Sequence, residues 1–360
     1  MILPSAVPRD GSLDSTVVLA ATDYLQAARE LRAGSYWPLL MFTSANMFLW
    51  HIDAFNRDED PVPLFVDAFK SATALLKNAS DKDVFGNYAH LAPEVDETED
   101  DFEGLVSGLF SDIWVEMSDD IYFEQSYEFT KARLEKSGVD PVALFKDKVI
   151  VDAGCGGGEF TTVLARFGAA KVIGFDIGEK GLDFARKQAE KVSYKDRLDY
   201  RYGSLLNIPL GDNSVDLVWS NGVIHHTLGY EKCLAEFSRI LKVGGELFLY
   251  VNGRFGLWEL LLDTLRLSVE SVPRDLFQHF LVSLGFNTGR IYWMMDCLYA
   301  SYEWKPRTEV ESLLRRHGFT ELRQLVRGVP SDQIEMISEG LPYASIKYGE
   351  GQLKFLCVKR

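Results

Sequence analysis

In the middle third of the chain, short apolar runs alternate with stretches of helical periodicity. Val149, Ile150 and Val151 form a run long enough for a buried strand, and Asp152 ends it. Glycines at 154, 156, 157 and 158 follow. Apolar residues over 161–167 then recur at helical spacing until Gly168, and 172–175 reads as a second strand ending in Asp176. The alternation continues with a helix over 179–192, strands over 198–202 and 215–219, a helix over 230–240 and a strand over 246–251. Strands that alternate with helices predict an α/β fold on a mostly parallel sheet.

The flanks read differently. Residues 1–15 suggest a disordered start. Helical patterns follow over 17–31 and 63–77, and 36–55 between them is strongly apolar and aromatic. So much apolar surface must pack on the α/β core, on itself or on a second subunit, so a homodimer through this extension is one expectation. Residues 91–120 hold eleven Asp or Glu and no Lys or Arg. A solvated loop is the ordinary reading, and an acidic rim that draws in a cationic substrate is the alternative. Over 120–134, Tyr122, Phe123, Tyr127 and Phe129 interleave with acids and Gln125 in a predicted helix.

Beyond 252 come apolar helices over 257–267, 277–284 and 290–299, then a helix over 305–318 with Thr308 and Glu311 spaced as a capping box. Strands over 322–326 and 352–358 close the chain, joined by a connection too long for a hairpin. The expected division is a helical extension and lid over 1–140, a cofactor-binding core over 141–251, a helical substrate-side insertion over 252–305 and the completion of the core over 306–360.

Composition narrows the function classes. At 360 residues and 47% apolar the chain can bury a large core, and a net charge of -15 opposes nucleic-acid backbones. The four cysteines do not pair at C-x-x-C spacing and no His belongs to a metal pattern, so neither a disulfide framework nor a metal is expected. With no membrane-spanning run and no signal-peptide pattern, a cytoplasmic location is the expectation.

The glycine cluster carries the chemistry. It runs Gly154-x-Gly156-x-Gly158, and Glu159 stands where a dinucleotide fingerprint wants its third glycine. A carboxylate there, with Asp152 before the turn, repels pyrophosphate, which argues against a nicotinamide oxidoreductase, and neither acid discourages a cationic ligand with an amino-acid tail. Asp176, 24 residues after Asp152, suits the two hydroxyls of a ribose.

With VDAGCGGG, GFDIG, GSLLNIPL, DLVWSNGVIHHT and RILKVGGELFLYV, residues 145–251 resemble the class I S-adenosylmethionine-dependent methyltransferases, in particular the small-molecule, type 11/25-like members. The resemblance implies a seven-stranded, mostly parallel Rossmann-like sheet with an antiparallel closing edge. It implies S-adenosyl-L-methionine as cofactor, with its methionine moiety on Asp152, Gly154 and Gly156, its ribose on Asp176 and its adenine near Ser204. Family members often carry Asp in place of Ser204. Gly158, Ile177, Leu205, Asn221 and Tyr122 complete the expected cofactor set. His225 and His226, just past the fourth strand, are candidates for a general base, against a packing role for the loop. Tyr127 is the third catalytic candidate, and with Tyr122 it forms an aromatic wall beside a sulfonium. The acceptor is expected to be a small organic molecule offering an O, N or C nucleophile. The rivals are a non-catalytic binding or regulatory protein and an enzyme acting on a macromolecule. SNGVIH stands where an N-P-P-Y motif would mark amino-group methylation of bases or protein glutamine.

Overall fold

The computed structural model describes residues 13–31, 34–82 and 117–360. The acidic stretch over 91–116 and the chain start lie outside them.

Two compact units emerge, one helical and one built on a sheet. The sheet unit takes its described residues from Asp100–Gly253, Ser301–Glu339 and Glu350–Arg360. Its seven strands are β1 (Val149–Ala153), β2 (Lys171–Asp176), β3 (Leu198–Tyr202), β4 (Val215–Asn221), β5 (Leu241–Asn252), β6 (Phe319–Gln324) and β7 (Gln352–Lys359). They lie in the order β3-β2-β1-β4-β5-β7-β6. The pairings from β3 to β5 are parallel, and β7 runs antiparallel to both β5 and β6. The Rossmann-like sheet expected from the sequence is therefore present, with β7 as its antiparallel member. Apolar side chains alternate off the two faces. Val151, Phe175, Val218 and Leu249 pack on one side, and Ile150, Val172, Trp219 and Phe248 on the other.

The order reverses between β1 and β4, since β2 and β3 lie on one side of this pair and β5 on the other. At such a switch point a crevice opens beyond the carboxyl ends of the strands. Register sharpens the placement. Asp152 pairs with Gly174 and with Trp219, so Asp176 and Asn221 both fall level with Gly154.

The helical unit takes its described residues from Met1–Glu99, Arg254–Ala300 and Gly340–Gly349. Its helices are Ser15–Glu30, Trp37–Phe55, Pro61–Asp81, Leu257–Ser268, Arg274–Ser283, Thr288–Tyr299 and Ala344–Tyr348. Side chains of Asp14 and Asp60 cap two of them. Tyr24, Phe48, Phe65 and Phe69 are fully buried, as are Trp37, Met41 and His51 very nearly. Trp37 and its neighbours are thus core residues. Lys347 donates to the Phe55 carbonyl at 2.8 Å, which holds the last short helix to this unit.

Several expectations need correction. The helix at 305–318 is Arg307–Arg316, capped at Pro306 without a side-chain bond, so Thr308 lies inside its first turn and forms no capping box. β5 begins at Leu241 and carries Gly244 and Gly245 within it, with a register irregularity opposite Val215 and Leu217. Residues 117–140 belong to the sheet unit rather than to a helical extension, and 340–349 belong to the helical unit. Residues 120–134 do not form one continuous α-helix. A π-helical turn, Asp120–Gln125, precedes the helix Ser126–Lys136. Among the described residues no helix is long and apolar enough to cross a membrane, and no group of His, Cys, Asp or Glu is arranged to hold a metal.

Candidate active site

The turn after β1 is shaped by positive backbone angles that glycine adopts without strain. Gly154, Gly156 and Gly158 have φ of 83, 52 and 81°. Space excludes other residues as well. A Cβ on Gly154 would lie 2.4 Å from a Val223 methyl carbon, and one on Gly158 would lie 2.6 Å from Ala185 Cβ. The loop after β4 therefore sits directly against the turn, and the helix Glu179–Ala189 sits behind it.

Carboxylates converge here. Asp152 is 2% exposed, and the Thr161 hydroxyl donates to its Oδ2 at 2.6 Å. Burial, with a further push from Asp176, raises its carboxyl to about 7 even though Thr161 counters part of the shift. Asp176 accepts from the Gly156 and Gly178 N–H groups, both at 2.8 Å, and this joins the end of β2 to the glycine turn. Burial outweighs those bonds, and its carboxyl too stands above the ordinary value. Glu159, the first residue of the helix Glu159–Arg166, is raised to about 7 by burial and then by Asp152.

A polar cluster supports the turn from behind. The Tyr122 hydroxyl donates to the Gly157 carbonyl at 3.0 Å and lies 3.3 Å from Thr162 Oγ1, which lies 3.3 Å from the Tyr200 hydroxyl. Tyr122 is fully buried, and it is delivered by the π-helical turn, a feature frequent at functional sites.

On the other side of the crevice, Asn221 ends β4 with its Oδ1 buried and without a partner among the described residues. His225 is 3% exposed, its Nε2 3.4 Å from Asn252 Nδ2, and its Nδ1 has no partner among the described residues. Burial, then the neighbouring His226, hold it well below the usual histidine range, so the ring is neutral. His226 Nδ1 is 2.8 Å from the Ser301 carbonyl. Both rings meet Tyr302, at centroid distances of 5.5 and 4.3 Å, and Tyr302 stacks on Trp304 at 5.1 Å. The His225 carbonyl also accepts from the Glu303 N–H at 2.7 Å.

The fold thus brings Asp152, Gly154, Gly156, Gly158, Asp176 and Asn221 to one edge. Ile177 adds a backbone N–H to Asp176, and Ser204 lies just past the end of β3, where its Oγ accepts from Leu206 N–H at 3.3 Å. Leu205 buries its side chain in the core with Ile208 and Ile224, which leaves only its backbone for a ligand. Tyr127 does not join the site. Its ring stacks on Phe167 at 4.5 Å and lies under the Arg166 guanidinium, at the end of the helix Glu159–Arg166 remote from the turn. Asp332 and Glu335, acids of the long connection after β6, are held in ion pairs with Arg133 and Arg327.

Sequence reasoning missed Thr161, Thr162, Tyr200 and Tyr302. A hydroxyl in the first turn of the helix was a usable signal for Thr161. Nothing local marks Tyr302, which reaches His225 and His226 across 77 and 76 positions.

The edge fits a ligand that brings positive charge to buried carboxylates, a diol to Asp176 and a donor to Asn221. Comparison with known proteins gives the same direction. Residues 151–249 match the family described as a methyltransferase domain. The chain is 32% identical over 100 residues to the 27-O-demethylrifamycin SV methyltransferase of Amycolatopsis mediterranei, covering 28% of this chain and 37% of that protein. It is 34% identical over 98 residues to the demethylmenaquinone methyltransferase of Symbiobacterium thermophilum, covering 27% and 39%. The chain thus spans well under two thirds of these relatives' lengths. A solved geranyl diphosphate C-methyltransferase from Streptomyces coelicolor is similar over 65% of this chain and 76% of its own, at 18% identity and a TM-score of 0.40.

Proposed function

This chain carries a class I S-adenosylmethionine-dependent methyltransferase domain, and we propose that it transfers a methyl group from S-adenosyl-L-methionine to an O, N or C nucleophile of a small organic acceptor. One observation carries the reading. Asp176 and Asn221 stand level with Gly154 on either side of the strand-order reversal, with buried Asp152 beneath the turn.

The donor supplies a methyl group already activated on a sulfonium. The protein's task is to orient and to exclude water. Asp152 and the glycine turn receive the amino-acid end, Asp176 accepts from the ribose hydroxyls, and Ile177, Ser204 and the Leu205 backbone flank the base. Tyr122 acts from behind by fixing the Gly157 carbonyl. Asn221 and His225 face the acceptor side. His225 Nε2 lies 3.4 Å from Asn252 Nδ2 and burial keeps the ring neutral, so His225 packs the loop rather than serving as a strong base. His226 and Tyr302 hold the loop in place.

Calorimetric titration of the full chain tests this. One S-adenosyl-L-methionine per chain is the expected stoichiometry, and no detectable binding would remove the reading. Transfer of an isotopically labelled methyl group to a panel of phenols, amines and carboxylic acids then identifies the nucleophile.

A further inference from the structure

Asn221, Tyr250 and Lys354 stand in one row across the sheet. Tyr250 on β5 pairs with Asn221 on β4 and with Lys354 on β7, so the three side chains leave the same face at the carboxyl edge of the parallel strands. The half-buried Tyr250 ring is engaged on both flanks. Toward β4, a Cβ on Gly222 would lie 3.4 Å from its Cε1, and the ring centroid is 6.4 Å from that of His225. Toward β7, the Lys354 ammonium stands 5.9 Å and the Arg133 guanidinium 6.0 Å from the ring centroid. Both cations are bound to Asp332, and Lys354 is fully buried. All of these residues belong to the sheet unit.

Gly222, with φ of 80°, turns the chain out of β4. Val223 follows, and its methyl carbons would meet any Cβ at Gly154. A line of contact therefore runs from the ion-pair cluster through the Tyr250 ring to Gly222 and on, by way of Val223, to the glycine turn. The Gly222 N–H also donates to the Tyr250 carbonyl at 3.1 Å, a backbone bond that any residue at 250 would keep. The side chain adds the wall against which the Gly222 backbone lies. On the methyl-donor reading given above, we propose that Tyr250 is a positioning residue, a ring held by the Arg133–Asp332–Lys354 cluster that fixes the loop after β4 against the glycine turn and so sets donor affinity. The electron-rich ring attracts the two cations, and it cannot swing away from Gly222 without leaving them. Tyr250 acts through the loop and not on the donor itself.

Calorimetric titration of S-adenosyl-L-methionine into the full chain tests this, each variant first being shown to be folded by its thermal unfolding transition. Tyr250→Leu removes the ring and is expected to weaken donor binding by about fivefold, whereas Tyr250→Phe keeps the ring and should stay within about twofold of the wild type. Lys354→Met removes one cation and leaves the two-bond Arg133–Asp332 pair in place. Arg133 is less suited to the test because it also stacks on Phe129 at 4.2 Å. Lys354→Met is expected to weaken donor binding by about threefold. Combined with Tyr250→Leu it should cost nothing further, because the cation then has no ring to hold. Wild-type affinity in Tyr250→Leu, an equal loss in Tyr250→Phe, or multiplied losses in the double variant each overturn the proposal and leave the methyl-donor reading standing. A wild type that binds no donor overturns both. Should Tyr250→Leu fail to fold, Lys354→Met decides, since wild-type affinity there also overturns the proposal.

Discussion

The sheet unit contains two groups of buried or half-buried carboxylates, and they are handled in opposite ways. Behind the sheet edge, Arg133 binds Asp332 through Nε at 2.9 Å and Nη2 at 2.6 Å, and fully buried Lys354 adds a second ion pair. Glu335 alongside is held by Arg327 at 2.8 and 3.0 Å, by Lys136 and by the Gly328 N–H at 2.8 Å. Burial alone would raise the Asp332 carboxyl, but Arg133 and Lys354 outweigh it and hold it below its ordinary value. The Arg327 fork likewise holds Glu335 down. At the glycine turn, burial wins instead and Asp152, Glu159 and Asp176 are all raised. A cluster that ties the segment after β6 to the helix Ser126–Lys136 completes its own charge balance. At the glycine turn, the hydrogen-bond partners of Asp152 and Asp176 among the described residues are all uncharged.

The sharpest break in this contrast comes from Asp332→Ala. The substitution leaves Arg133 and Lys354 facing each other, buried and uncompensated, so a loss of about 3–5 kcal/mol is expected in denaturant unfolding. A loss under about 1 kcal/mol would mean that the two cations do not depend on Asp332 and would erase the difference between the clusters.

Asp152→Asn should act in the opposite direction. The native carboxyl keeps its proton up to about 7, whereas the unfolded chain releases it near the ordinary 3.8. Between those values the native state binds more protons, so stability falls as pH rises through the window and levels off above it. Asparagine removes that loss and can still accept from Thr161. At pH 8 the variant is expected to be more stable than the wild type by about 2 kcal/mol, with the advantage gone below about pH 4. Donor binding should be lost at the same time. Equal stability of the two proteins at pH 8 would show that Asp152 is compensated after all.

These two clusters were not equally legible in the sequence. The glycine turn announces itself because glycines, a strand-ending acid and the next strand lie within thirty residues, and each has a local physical reason to be there. The strands of the core could be placed for the same reason, as short apolar runs bounded by turn residues. The ion-pair cluster is invisible along the chain. Arg133 and Asp332 stand 199 positions apart, and nothing local marks either as the partner of the other. Tyr127 misled for a different cause. An uninterrupted amphipathic pattern over 120–134 hides the π-helical turn, which closes a bond from the Ser126 N–H to the Ile121 carbonyl and resets which side chains face the turn. The chain then runs alongside the helix Glu159–Arg166, and Tyr127 meets its far end at Phe167 and Arg166.

That displacement gives the smallest test, a pair of hydroxyl deletions five residues apart. Tyr122→Phe takes away the donor to the Gly157 carbonyl in a fully buried place, at a cost of about 1 kcal/mol in stability. Because Gly157 lies inside the turn, donor affinity should fall with it, by about threefold. Tyr127→Phe leaves the stacking on Phe167 and the Arg166 contact in place and should change stability by less than about 0.5 kcal/mol, with donor affinity unaltered. The two rings share a helix-like segment and the same chemistry, so any difference between them isolates contact with the turn. Equal effects of the two substitutions on donor affinity would instead mean that the turn is held by the segment as a whole and not by the Tyr122 hydroxyl.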